Sequence, residues 1–223
     1  AGQKGTGKWS VETAMEYGVP LNLIATSVFE RSLSAMKEKR ELASSLYARD
    51  VKVKEKPTIN EVRDALFASK LISYTQGFEL MKSVSDEKGW DLDLASIAKI
   101  WRNGCIIRSS FLNKISDSYI QDKDLKSLLF SEFFENEINA SLEGWRTVVS
   151  KAAIAGIPIP AFSNALNYFY SYTSKNLPAN LLQAQRDFFG AHTFERVDMQ
   201  RGNFFHENWT GEGGETKSGV YTV

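Results

Sequence analysis

Residues 58–89, TINEVRDALFASKLISYTQGFELMKSVSDEKG, carry a helix start and a helix stop thirty-odd positions apart. Thr58 and Glu61 have the spacing of a capping box, in which each side chain satisfies a backbone N–H of the first turn. Gly89 follows Lys88 as a stop. The same punctuation recurs on both sides. Upstream, Leu21, Ile24, Val28, Ala35, Met36, Leu42 and Leu46 predict one long amphipathic helix to about Tyr47. Ser10 reads as the cap of a short helix ending at Gly18, with Pro20 opening the next. Downstream, Asp91 or Asp93 starts a helix that runs to about Ile115. Another spans about Asp124 to Ala155 and stops at Gly156, ahead of Pro158 and Pro160. Two shorter helices are expected over Ala161–Tyr172 and Pro178–Phe189, with Gly190 as the stop. Strand alternation is almost absent, so the fold class is all-α. Helical periodicity fails after His192, leaving a helical body over 1–192 and an irregular tail over 193–223. That tail carries Phe204, Phe205, Trp209 and Tyr221, and such aromatics suit packing against another surface, a second subunit foremost.

Length and composition bound the functions. The 223 residues are 43% hydrophobic and 12% aromatic, enough for a sizeable core. Lys and Arg number 27 against 27 Asp and Glu, so there is no general attraction to nucleic acid or membrane, and an anion site has to be a local cluster. Cys105 is the one cysteine, which excludes an intramolecular disulfide. The chain opens on AGQKGTGK, a glycine-rich polar loop without an initiator methionine, and reads as part of a longer protein.

Three places carry possible chemistry. Gly2 to Lys8 matches the glycine-spacer-Gly-Lys part of a P-loop, but Trp9 stands where Ser or Thr would hold magnesium, and no strand precedes it. What survives is an anion cradle: glycine amides beside Lys4, Thr6 and Lys8, just ahead of a helix start. Gln183 to His192 places Arg186 near a helix C-terminus and His192 just beyond the glycine. Capping accounts for such a cation, and a phosphate held by an arginine fork and an imidazole accounts for it too. Arg31 is a lone charge in the apolar-facing stretch VFERSLSAM, where it either snorkels or pairs with Glu30 or Glu38. Two histidines and one cysteine give no metal-ligand spacing, and no nucleophilic triad can be assembled.

At these residues the chain resembles a known family. GQKGTGKW at 2–9, EYGVP at 16–20, VFERSLS at 28–34, WRNGCIIRS at 101–109, LPANLLQAQRDFFGAHTFER at 177–196 and FFHENWTGEGG at 204–214 are similar to blocks of the 6-phosphogluconate dehydrogenases. The resemblance implies NADP-dependent oxidative decarboxylation of 6-phosphogluconate to ribulose 5-phosphate, in the pentose phosphate pathway and gluconate utilisation. It further implies a cytoplasmic or plastid homodimer with an intersubunit active site. Lys4, Thr6 and Arg31 match substrate-binding positions of the family, and Arg186 and His192 match positions donated to the neighbouring subunit. The family's dinucleotide fingerprint, its catalytic lysine and its catalytic glutamate all precede the GQKGTGKW loop. The resemblance therefore places no catalytic residue in this chain, and NADP is expected to be bound mainly by a preceding domain. The competing readings are a stand-alone helical interaction module without catalysis, and a dehydrogenase for a smaller 3-hydroxy acid. The second has no use for the combined charges of Lys4, Arg31, Arg186 and His192.

Overall fold

A computed structural model describes Gly2, residues 4–47, Val53 and residues 55–211. The helices among them are α1 (Thr6–Glu16), α2 (Asn22–Ala35), α3 (Lys37–Leu46), α4 (Ile59–Lys88), α5 (Leu94–Ile100), α6 (Leu112–Gln121), α7 (Glu132–Ile154), α8 (Pro160–Tyr172) and α9 (Asn180–Gly190). Two short strands, β1 (Phe194–Glu195) and β2 (Phe204–Phe205), pair antiparallel, Phe194 opposite Phe205. The all-α class holds. None of these helices is long and apolar enough to cross a membrane. Contacts gather into two compact units, residues 1–169 and 170–223.

The first unit is built on α4. Thr58 and Glu61 form the expected capping box: the Glu61 amide donates to the Thr58 hydroxyl at 3.2 Å and the Thr58 amide to the Glu61 carboxylate at 2.6 Å. That amide bond is the main reason the Glu61 carboxyl is a stronger acid than usual. Gly89 ends the helix in the left-handed conformation (φ 64°). α7 packs along α4 and buries Phe134, Ile138 and Trp145 against Ala65, Ala68, Leu71 and Ile72. The fully buried Trp145 keeps its indole N–H satisfied by the Phe162 carbonyl at 3.3 Å, as a buried indole requires. Phe78, farther along α4, stacks on Tyr119 of α6 and meets Trp101 edge-on.

One polar contact in this core fixes where α2 lies. The Leu23 amide is among the N-terminal donors of α2 that have no partner inside their own helix. It donates to the side-chain oxygen of Gln76, wholly buried in α4, at 3.1 Å.

Several expected boundaries moved, each for a local reason. The helix expected over Leu21–Tyr47 breaks at Met36 (φ −86°, ψ 53°). There Ser34 donates to the Arg31 carbonyl at 2.7 Å and Arg40 to the Ser34 carbonyl at 3.1 Å, so side chains take over carbonyls at the helix end. The helix expected to reach Ile115 stops at Ile100. It is capped by Asp93, not Asp91, and residues 101–111 loop through left-handed Gly104 (φ 67°). The helix expected from Asp124 begins at Glu132, because Ser127 accepts from the Leu129 amide and starts a 3-10 turn over Leu128–Phe130. α1 starts at Thr6 behind Gly5, and Ser10, expected as the cap, instead donates to the Thr6 carbonyl from inside the helix. α9 includes Gly190, and Ala191 takes the left-handed stop (φ 50°). Most of the loop expected over 49–57, and residues 212–223 with Tyr221, lie outside the described residues.

The capping box supplies the first test. Thr58→Ala is expected to lower the unfolding free energy by about 1 kcal/mol in urea titrations, the usual cost of losing such a cap.

Candidate functional site

The sequence-predicted residues fall into two clusters, one in each compact unit. In the first, Gly5 sits at φ 95° and no side chain caps α1, so the leading amides of the helix face outward beside the exposed Lys4 and Thr6. Arg31 projects from α2 and donates from its guanidinium to the Gly2 carbonyl, tying that helix to the opening loop. Among the described residues its bond goes to the Gly2 carbonyl and not to Glu30 or Glu38. Gly7 makes the approach possible, since a Cβ there would lie 2.9 Å from Cγ2 of Val28, one turn before Arg31. An uncapped N-terminus with a lysine, a hydroxyl and an arginine beside it favours an anion through amide donors and the helix dipole. Lys8 turns away to pair with Glu12 at 3.3 Å.

The second cluster lines a cleft of about 520 Å³, walled by Gln183, Arg186, His192, Thr193, Phe204 and Trp209 among others. It brings Arg186 and His192 together, as the sequence suggested. Gly190 leaves room for the imidazole where it stands: a Cβ there would lie 2.8 Å from Nε2 of His192, so the ring would have to shift. Arg186 is exposed, with Nη1 donating to the Gln183 side-chain oxygen at 3.3 Å. Around His192 the backbone is unusual, since Ala191 (φ 50°) and Thr193 (φ 59°) are both left-handed without being glycine. A β-branched residue there is an outlier that the surroundings have to impose.

They do so through Asp187, which sequence reasoning passed over. Its carboxylate has no exposed surface and accepts four hydrogen bonds. Oδ1 takes the Thr193 amide at 2.9 Å and faces Nδ1 of His206 at 3.0 Å. Oδ2 takes the Glu207 amide at 3.0 Å and the Trp209 indole at 2.9 Å. Burial pushes this carboxyl toward a weaker acid, but the donors, the Glu207 amide first, outweigh it and hold its pKa below the ordinary 3.8. Because the folded group is the stronger acid, its stabilisation is complete above the ordinary value and is lost as pH falls through the lower folded one. Asp187 thus fastens the hairpin segment to α9. In sequence it looks like any acidic neighbour of Arg186. The available signal was its place four residues after Gln183, which puts both on one face of α9.

Fold and site together define an all-α domain with one exposed basic cluster in each of its two compact units. Residues 1–209 match the family model described as 6-phosphogluconate dehydrogenase, C-terminal domain, and the chain belongs to that family. It is 48% identical over its whole length to the decarboxylating 6-phosphogluconate dehydrogenase of Treponema pallidum (strain Nichols), and 47% identical to that of Mus musculus. It spans about half of each, 48% and 47%. A solved structure of Plasmodium falciparum 6-phosphogluconate dehydrogenase, described in apo form, with its cofactor NADP+ and with its substrate 6-phosphogluconate, superposes with TM-score 0.87 at 42% identity. That match covers 94% of this chain and 45% of the other.

The four-donor arrangement is testable. Asp187→Asn replaces one acceptor oxygen with an N–H2 facing donors, at roughly 1–3 kcal/mol for each group left unsatisfied. Hydrogen exchange is expected to accelerate over 193–209 while α4 and α7 keep their protection.

Proposed function

We propose that this chain is the substrate-phosphate and dimerisation part of an NADP-dependent 6-phosphogluconate dehydrogenase, which oxidatively decarboxylates 6-phosphogluconate to ribulose 5-phosphate. The observation carrying this reading is the convergence of Arg186 and His192 on one cleft, at a backbone that Asp187 holds in place. A guanidinium offers a bidentate fork and an imidazole a further N–H, which together suit a phosphate monoester.

In the proposed assembly, Lys4, Thr6 and Arg31 of one copy face Arg186 and His192 of the other across a single substrate. In that assembly the described tail residues, 193–211, lie on the partner subunit. Support for a homodimer comes from α2 and α3, where Phe29, Leu33, Leu42, Leu46 and Tyr47 are all exposed and α3 buries no side chain among the described residues. The compartment proposed is the cytoplasm, where the pathway's soluble substrates are found, with a plastid as the other candidate.

NADP supplies the hydride acceptor when bound. The strands among the described residues are the two of the short hairpin, so a parallel strand, glycine turn and helix cradling a pyrophosphate are not formed here. The contribution of this chain is to bind and orient: the phosphate is held at a distance from the reacting carbons, so that binding energy sets the position of the sugar chain.

In the full-length protein, Arg186→Ala or His192→Ala is expected to weaken 6-phosphogluconate binding by about one to two decades, the worth of a charged hydrogen bond. Affinity for NADP+ should hold, and an equal loss for phosphate-free gluconate would refute the assignment. The 223-residue chain by itself is expected to form no NADPH from 6-phosphogluconate and NADP+ in a spectrophotometric assay, and measurable turnover would overturn that.

A further inference from the structure

We propose that Gln183 is a positioning residue that sets Arg186 and His192 in register with each other; the inference rests on the phosphate reading above. Gln183 is half-buried on α9 and lines the same cleft as both residues. Its Oε1 accepts from Nη1 of Arg186 at 3.3 Å, and its Nε2 donates to the Thr193 carbonyl, next to His192. The orientation of the amide is forced, because a guanidinium can only donate and a carbonyl can only accept.

Thr193 is where this matters. Its amide is drawn to Asp187 and its carbonyl to Gln183, two side chains four residues apart on α9. Clamped from both sides, Thr193 stays at φ 59°, and His192 is held between two left-handed residues with its ring against Gly190. Asp187 also fastens the hairpin segment through His206, Glu207 and Trp209, so its loss would disturb far more than the cleft. Among the described residues the Gln183 amide bonds to Arg186 and to Thr193, beside His192. A single amide therefore couples the direction of the arginine fork to the position of the imidazole. Glutamate could hold Arg186 but would repel the Thr193 carbonyl, leucine could do neither, and asparagine is a methylene too short.

The test uses the full-length protein with Gln183→Leu and Gln183→Glu. Gln183→Met is read in parallel, so that misfolding of one variant leaves the comparison intact. For each, KM and kcat are measured with 6-phosphogluconate, KM with NADP+, and kcat/KM with phosphate-free gluconate. Gln183→Leu and Gln183→Met are expected to raise KM for 6-phosphogluconate by about 3- to 15-fold, the effect of roughly one or two net hydrogen bonds. Gln183→Glu should show a comparable rise, since it keeps one contact and turns the other repulsive. In all three, kcat, the NADP+ value and the gluconate value should hold. Introduced beside Arg186→Ala and His192→Ala together, Gln183→Leu is expected to add less than about 2-fold, because a residue acting through those two has nothing left to position. An unchanged KM, an equal loss with gluconate, or a full additional loss in that background would each overturn the proposal. If Arg186→Ala and His192→Ala themselves leave the preference for the phosphorylated substrate untouched, the phosphate reading fails and this one with it. If they abolish that preference while Gln183→Leu leaves it intact, only the positioning role is wrong.

Discussion

A carboxylate without exposed surface is costly unless its lone pairs are used, and Asp187 uses them on four donors from two stretches of chain. Everything distinctive about the second unit follows from that. The Thr193 amide, drawn in at 2.9 Å, keeps the chain turning left-handed beyond α9. The Glu207 amide and the Trp209 indole bring the return strand back, so that a hairpin of only two residues per strand persists beside the helix. Such a hairpin has too little ladder to stand alone. The cleft wall formed by Phe204 and Trp209 is therefore a product of the same carboxylate that fixes the His192 backbone.

The first unit solves the same problem with a neutral group. Gln76, buried in α4, accepts the Leu23 amide and so holds the N-terminus of α2. Arg31 lies about two turns beyond Leu23 on that helix, and the Gly7–Val28 contact sets how closely α1 approaches. In both units a buried polar side chain fixes the backbone near an exposed cation, and Arg31 in addition ties α2 to the opening loop through the Gly2 carbonyl.

What the sequence made legible follows the range of the interactions involved. The Thr58–Glu61 box and the stops at Gly89 and Gly156 were readable because donor, acceptor and backbone lie within a few residues of one another. The all-α class was readable for the same reason, whereas spacing left Arg186 and His192 open between capping and anion binding. Helix interiors were harder. Met36 lies in an unbroken apolar pattern, and the break there comes from Ser34 and Arg40 competing for carbonyls, which periodicity does not record. The loop over 101–111 likewise continues an apolar pattern that leaves Ile106 fully exposed. Asp187 had only the local signal of its spacing from Gln183, because its donors His206, Glu207 and Trp209 lie about twenty residues away in a glycine-rich segment without helical periodicity. Family resemblance located the cations, but not the groups that hold them.

A phosphate monoester carries nearly two negative charges at neutral pH, and the chain's balanced composition offers no general field to hold it. Arg186 contributes one fixed charge, and His192 contributes an N–H whether or not it is protonated. That is half of what a dianion calls for. On the proposed reading the other half comes from a second basic cluster, the opening loop with Lys4 and Arg31 at the far end of the sequence. Dividing the charge keeps each cluster tolerable in the free protein, where like charges forced together would repel one another. On the proposed reading the repulsion is met only when the ligand is there to offset it, so that closing the cage and binding the substrate become one event.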